Sequence, residues 1–284
     1  MRKRVFGKPD SESGQALVLV LLSLAVVLTV VMFVLSRTVT DVNISTASDE
    51  SVRAFSAAEA GVEKALVTGS GTSGTNIGNA SYTASVTNYA EGATSFNFPE
   101  PIAEGDSGTV WFMAHNADGS LSSSSSINVA LFQVCWGNPN YPSGSPNTPA
   151  IEVSIYYELT PGDLSTIQIT RMVFDPNTAR TNGFQTASGV CSISGVNNYS
   201  FSKTITKSIP SNLVMAKIRM FYNSDTAQPL GISVLGSGSL PSQGQLISSE
   251  GTAGSSNRKI NVFQGWPEFP FGSSAIFTPS GITQ

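Results

Sequence analysis

The chain has 284 residues, 40% of them apolar and only 12% charged, with a formal net charge of −4. A soluble domain is usually about a quarter charged, so this Gly-, Ser-, Thr- and Asn-rich composition suits an exported, turn-rich β protein and argues against a cytosolic α/β enzyme. The acidic balance excludes a general nucleic-acid binder, which would carry a basic face, and no nucleic acid is expected as a partner.

Residues 1–14 read as a basic leader, with Arg2, Lys3, Arg4 and Lys8. From Ala16 to Leu35 no side chain is charged, and the only polar ones, Ser23 and Thr29, can bond back to a helix carbonyl. Such a run spans roughly 30 Å as a helix, the thickness of a bilayer core. A cleaved secretory signal shares the basic start, but its apolar run is about 7–15 residues long and ends in small residues. This run is longer and ends Leu35-Ser36-Arg37-Thr38. A retained span over about 16–35 is therefore expected. The basic residues ahead of it outnumber Arg37 and Arg53 behind it, which predicts a cytoplasmic N-terminus and an extracytoplasmic remainder.

Between Arg37 and Gly61 there is no Pro and no Gly. Val52, Phe55, Val62 and Leu66 recur at helical spacing beside Ala54, Ala58 and Ala65, which predicts the apolar face of an amphipathic helix. Gly69-Ser-Gly-Thr-Ser-Gly74 is a breaker. One helix is thus expected over 15–67, about 80 Å long, then a flexible linker over 68–80.

From Ser81 the period changes to two. Ile151, Val153, Ile155, Tyr157 and Leu159 alternate with polar or smaller residues, and Pro161-Gly162-Asp163 then turns the chain into STIQITRMVF, so 151–174 reads as a hairpin. Further strands are expected around 81–88, 108–115, 127–136, 199–209, 213–222, 230–235 and 258–264, with linkers at 120–126 and 137–149. The fold class is α+β: a long N-terminal transmembrane and amphipathic helix, then a β-rich, sandwich-like exported domain over 81–284.

Candidate chemistry is sparse. His115 is the sole histidine, and one unaccompanied imidazole builds neither a catalytic triad nor a histidine metal site. Asp118-Gly119 and Asp175-Pro-Asn177 lack the alternating acidic run of a calcium loop and read as turns. No catalytic, metal or cofactor-binding residue and no cofactor is expected, and the chain is read as non-enzymatic. Cys135 and Cys191 either pair as a disulfide outside the membrane or stay as buried small hydrophobes. Asn43, Asn79 and Asn198 match the short glycosylation pattern. The aromatic-rich end, VFQGWPEFPFGSSAIF, either packs the last strand onto the core or forms a partner-binding edge.

Two stretches carry a resemblance. The first is Ser13-Gly14 followed directly by Gln15-Ala16-Leu17-Val18-Leu19-Val20-Leu21-Leu22. The second is Arg53-Ala-Phe-Ser-Ala-Ala-Glu-Ala-Gly-Val-Glu-Lys-Ala-Leu66, with Ala54, Phe55, Ala57, Ala58, Glu59, Ala60 and Gly61 as its core. Together they resemble type IV pilin-like proteins, specifically the PilX-type N-terminal region of minor pilins, over roughly residues 10–67. The resemblance implies a prepilin peptidase that cuts after Gly14 and leaves Gln15 as the new N-terminus. It also implies partners: the cytoplasmic membrane, other pilin-like subunits and a pilus or secretion assembly machine. Major pilins carry Glu at the fifth mature position, and here that position is Leu19. The reading is therefore a non-catalytic minor pilin-like subunit. The alternative is a single-pass surface protein whose β-domain is an adhesin or binding module.

Overall fold

A computed structural model describes residues 12–116, 118–126, 131–187, 189–193, 197–206, 212–236 and 238–268. Helix α1 runs Glu12–Thr68 without a break, 57 residues or about 85 Å. It ends as the breaker predicts: Gly69 takes φ +64° and its N–H bonds the Ala65 carbonyl at 2.8 Å, a left-handed glycine closing the last turn.

The strands that follow are β1 (Thr72–Ile77), β2 (Ala80–Asn88), β3 (Ser95–Asn97), β4 (Ser107–Trp111), β5 (Met113–His115), β6 (Leu121–Ser126), β7 (Leu131–Trp136), β8 (Ala150–Glu158), β9 (Ile167–Asp175) and β10 (Gln185–Thr186). After them come β11 (Cys191–Ile193), β12 (Asn197–Tyr199), β13 (Phe201–Thr206), β14 (Asn212–Phe221), β15 (Leu230–Leu235), β16 (Gly244–Ala253) and β17 (Ser256–Gly265). One long apolar helix and a β-rich remainder make the chain α+β.

The chain divides into two compact units. The first joins residues 1–85 to residues 248–260. It holds α1 and most of a four-stranded sheet in the order β1-β2-β16-β17. The segment 68–80, expected as a flexible linker, instead carries β1, which pairs antiparallel with β2 from Thr72↔Ala84 to Ile77↔Ala80 through a bulge. Its Ser, Thr and Gly composition reads as a loop, yet the short turn at Gly78-Asn79 lets it add to the sheet edge. Along β16, Ser249, Gly251 and Ala253 are buried, while Glu250 and Thr252 point the other way to solvent, the period-two alternation of a half-covered sheet.

The second unit spans 86–247 and the residues from 261 onward. A five-stranded sheet runs β10-β9-β8-β14-β4 and a four-stranded sheet runs β13-β7-β15-β3. The expected hairpin is present: β8 pairs with β9 from Ile151↔Phe174 to Glu158↔Ile167. Between them Asp163 caps a short 3-10 turn, Leu164–Thr166, by accepting from Ser165 N–H. Residues of both sheets share one core, with Val110, Ile151, Val153 and Ile218 from the first and Phe132, Val134, Trp136 and Ile232 from the second. Trp136 is fully buried, and its indole N–H is satisfied by the Pro149 carbonyl at 2.9 Å. Strand β6 occupies the segment expected as a linker at 120–126, and β16 has no counterpart among the expected strands. The first part of the expected strand at 127–136 and the end of that at 199–209 lie outside the described residues, as do the leader residues 1–11 and the aromatic-rich end beyond Glu268.

Candidate functional site

The first half of α1 is a bare apolar rod. Every large hydrophobic residue from Leu17 to Leu35 is exposed, Leu19 at 66% and Phe33 at 69%. The polar groups on it are internally satisfied: Ser23 Oγ donates to the Val20 carbonyl at 2.9 Å and Thr29 Oγ1 to the Val26 carbonyl at 2.7 Å. Each of the large apolar side chains gains roughly 1.5–3 kcal/mol on leaving water. A continuous surface of this size therefore demands a cover. By length and composition the helix can cross a membrane. The Gly14–Gln15 bond, where cleavage is expected, lies in the first turn of α1.

The second half is covered along the alanine side of the expected face, and Val52, Phe55 and Leu66 of that face stay outside. Val52 is 62% exposed, and Phe55 and Leu66 also face outward, while Val62 is buried. The face that packs is the small-residue one: Ala54, Ala57, Ala58, Gly61 and Ala65 are all buried. These positions, spaced three and four apart, form a seam along one side of the helix. The sheet opposite is matched to it. A Cβ on Gly251 would collide with the Ala54 carbonyl oxygen and lie 2.5 Å from Ala58 N. A Cβ on Gly61 would collide with Ser249 Oγ and lie 2.7 Å from the Tyr82 ring. Only glycine permits so close an approach of helix and strand. Of the motif residues, Ala54, Ala57, Ala58 and Gly61 thus make the seam, Phe55 and Glu59 face outward and Ala60 is half-buried.

Polar contacts fix the seam's register. Glu50 accepts from Ser255 N–H and Ser255 Oγ, both at 2.9 Å, at the turn between β16 and β17. These bonds, the backbone one first, hold the Glu50 carboxyl below its ordinary range. Arg258 donates to Ser51 Oγ through Nε and Nη2. Asp49 and Arg53 pair at 2.6 Å one turn apart on the exposed side, an arrangement of small energetic weight.

No family model, curated protein or solved structure matches the chain. Function therefore has to be read from the chain's own geometry.

In the second unit, Cys135 on β7 and Cys191 on β11 are joined as a disulfide with Cα atoms 5.8 Å apart. The bridge packs with Ile193 and Tyr199 in a small cluster of its own. Tyr199 donates its hydroxyl to Asn97 Oδ1, and burial pushes its phenol up to about 12. The two turns considered for calcium use their carboxylates internally. Asp118 accepts from Ser120 N–H and Oγ. Asp175 accepts from Asn177 N–H, Arg180 and Asn182. His115 ends β5 between two indoles, and burial lowers its imidazole to about 4, so it is neutral at ordinary pH. The aromatic pairing of His115 with Trp266 has no signal in the sequence, because its members lie far apart in the chain.

Proposed function

We propose that this protein is a non-catalytic minor pilin-like subunit of a type IV pilus or a related secretion or assembly system. The observation that carries the reading is α1 itself: one unbroken helix, bare and uncharged over 16–35 and seated on a sheet by a small-residue seam further along. A plain anchor needs only the first half. A seam in which backbone meets backbone gives a stiff rod, and stiffness is what a subunit needs if the bare half is to pass from lipid into a bundle of identical helices. The second unit, with two main sheets that share a core, is read as a sandwich-like domain. Its disulfide supports an oxidising, extracytoplasmic location, which agrees with a cytoplasmic N-terminus and a prepilin peptidase acting on the cytoplasmic side. Leu19 in place of Glu leaves the amine of Gln15 without the partner it has in a major pilin, which favours a minor component.

Mass spectrometry of the N-terminus of protein isolated from its native membrane tests the proposal. A mature chain starting at Gln15 supports it, and a Gly14→Asp variant should then accumulate uncut. An intact Met1 on surface-exposed protein would replace it with the single-pass adhesin or binding module.

A further inference from the structure

The second unit contains a cleft of about 510 Å³ beside the end of β5. Asn88, Glu91, His115, Asn116, Gln245 and Trp266 contribute to its wall. The His115 imidazole lies flat on the Trp266 indole, ring centroids 4.6 Å apart and planes 9° apart, and meets Trp111 edge-on at 4.5 Å. Trp266 is locked in place by its N–H bond to the Ser242 carbonyl at 2.9 Å. Around this aromatic stack the polar groups are also fixed. Asn88 Nδ2 donates to the Glu91 carboxylate at 2.6 Å, and Asn116 Nδ2 donates to Ser120 Oγ at 2.9 Å. His115 Nδ1 is buried and has no hydrogen-bond partner among the described residues. No Lys or Arg is among the described residues that line the cleft.

This combination narrows the ligand class. An anionic ligand would meet the Glu91 carboxylate with no cation to offset the repulsion. A wholly apolar ligand would strip water from three amides and a carboxylate and give no hydrogen bond in return, which is costly. A pyranose ring fits both demands: its C–H face suits a fixed aromatic wall, and its hydroxyls donate and accept in turn to amide and carboxylate groups. We propose that the cleft between Asn88, Glu91, His115, Gln245 and Trp266 binds a neutral saccharide. The site uses no residue on which the filament reading rests, so it stands or falls separately from that reading.

The test uses the full chain in zwitterionic, sugar-free detergent micelles. It is titrated with neutral gluco-, manno- and N-acetylglucosamine oligosaccharides while tryptophan fluorescence is followed, and a Trp266→Phe variant assigns the responding indole. Saturable binding by at least one neutral oligosaccharide is expected. Gln245→Ala and Asn88→Ala should each weaken it by about tenfold, the loss of one well-formed polar contact. Thr252→Ala, outside the cleft, should leave it unchanged. Two results would overturn the proposal: no saturable signal from any of these sugars, or undiminished affinity in both amide variants.

Discussion

The seam between α1 and β16 makes a quantitative claim at one residue. In Gly251→Ala the new methyl would overlap the Ala54 carbonyl oxygen and sit 2.5 Å from Ala58 N. Both are helix backbone atoms, so no side chain can rotate away. Restoring van der Waals separation moves the helix outward by roughly 1 Å, and a gap of that size forfeits a quarter to a half of each dispersion contact along the seam. Overpacking of this kind costs about 1–3 kcal/mol, and the rigidity of the obstruction points to the upper part of that range. Hydrogen exchange of residues 50–67 in the full chain in micelles reads the effect directly, because local opening scales with the lost free energy. A loss of about 2–3 kcal/mol accelerates exchange by about 30- to 150-fold. Gly61→Ala should cost about 1 kcal/mol less. Its methyl meets the Ser249 hydroxyl and the Tyr82 ring, which can yield, and alanine regains about 1 kcal/mol of helix propensity. Thr252→Ala, on the opposite face of β16, is the control. If Gly251→Ala exchanges within twofold of the parent, the close approach described for the seam is wrong.

Three further outcomes follow from named contacts. Replacing Cys135 and Cys191 by Ser opens a loop of 56 residues and should cost about 4 kcal/mol of stability in the chain-entropy account; urea unfolding with and without reductant measures it, and an unchanged midpoint would contradict it. His115 has a folded-state value of about 4 against 6.5 for the free side chain. As pH falls from 6.5 to 4 the unfolded chain takes up a proton that the folded chain refuses, so stability drops across that window and levels off below it. His115→Phe should flatten that part of the profile, as thermal melts at several pH values would show. Glu50 is shifted the other way from a group losing charge on folding: its carboxyl is lowered by Ser255, so its contribution is complete above its ordinary value of 4.5 and fades as pH falls through the lowered one. Glu50→Gln should therefore speed exchange in the 254–256 turn at pH 6, and the difference from the parent should shrink in acid.

The extent of α1 was legible because an uncharged run and a helix-favouring continuation are local, compositional signals, and Gly69 marks its end plainly. The face it buries was legible only in part: Ala54, Ala58, Val62 and Ala65 of the expected stripe are buried, whereas its largest members are not. Hydrophobicity ranks Val52, Phe55 and Leu66 above alanine, but what decides the packing is how near two backbones can come, and that depends on Gly251 far along the chain. The same cause hid β16. Where β16 faces the alanine seam it has room only for Ser249, Gly251 and Ala253, so that stretch carries none of the large branched and aromatic side chains on its buried face that announce a strand. Strands β1 and β6 were missed for a related reason, since runs of Ser, Thr and Gly read as loops until a neighbouring strand pairs with them. By contrast Ile151 to Glu158 has a strand partner a short turn away, and its hairpin was read correctly, but its strict alternation was not: Ser154, Tyr156 and Glu158 are buried and Leu159 is exposed. The aromatic stack at His115 could not be foreseen from one histidine, because Trp266 reaches it only through the full tertiary path.

The sheet order β1-β2-β16-β17 also sets a sequence of events in time. Ribosomal synthesis delivers α1 and the β1–β2 hairpin early, and a lone two-stranded hairpin is marginal in water. The strand that receives the alanine seam arrives more than 150 residues later. Until then the emerging helix has no seat and the first hairpin has no neighbour. A truncated or stalled chain would therefore own the apolar rod but not its stiffness, and any process that selects stiff rods would pass over unfinished molecules without a separate inspection step.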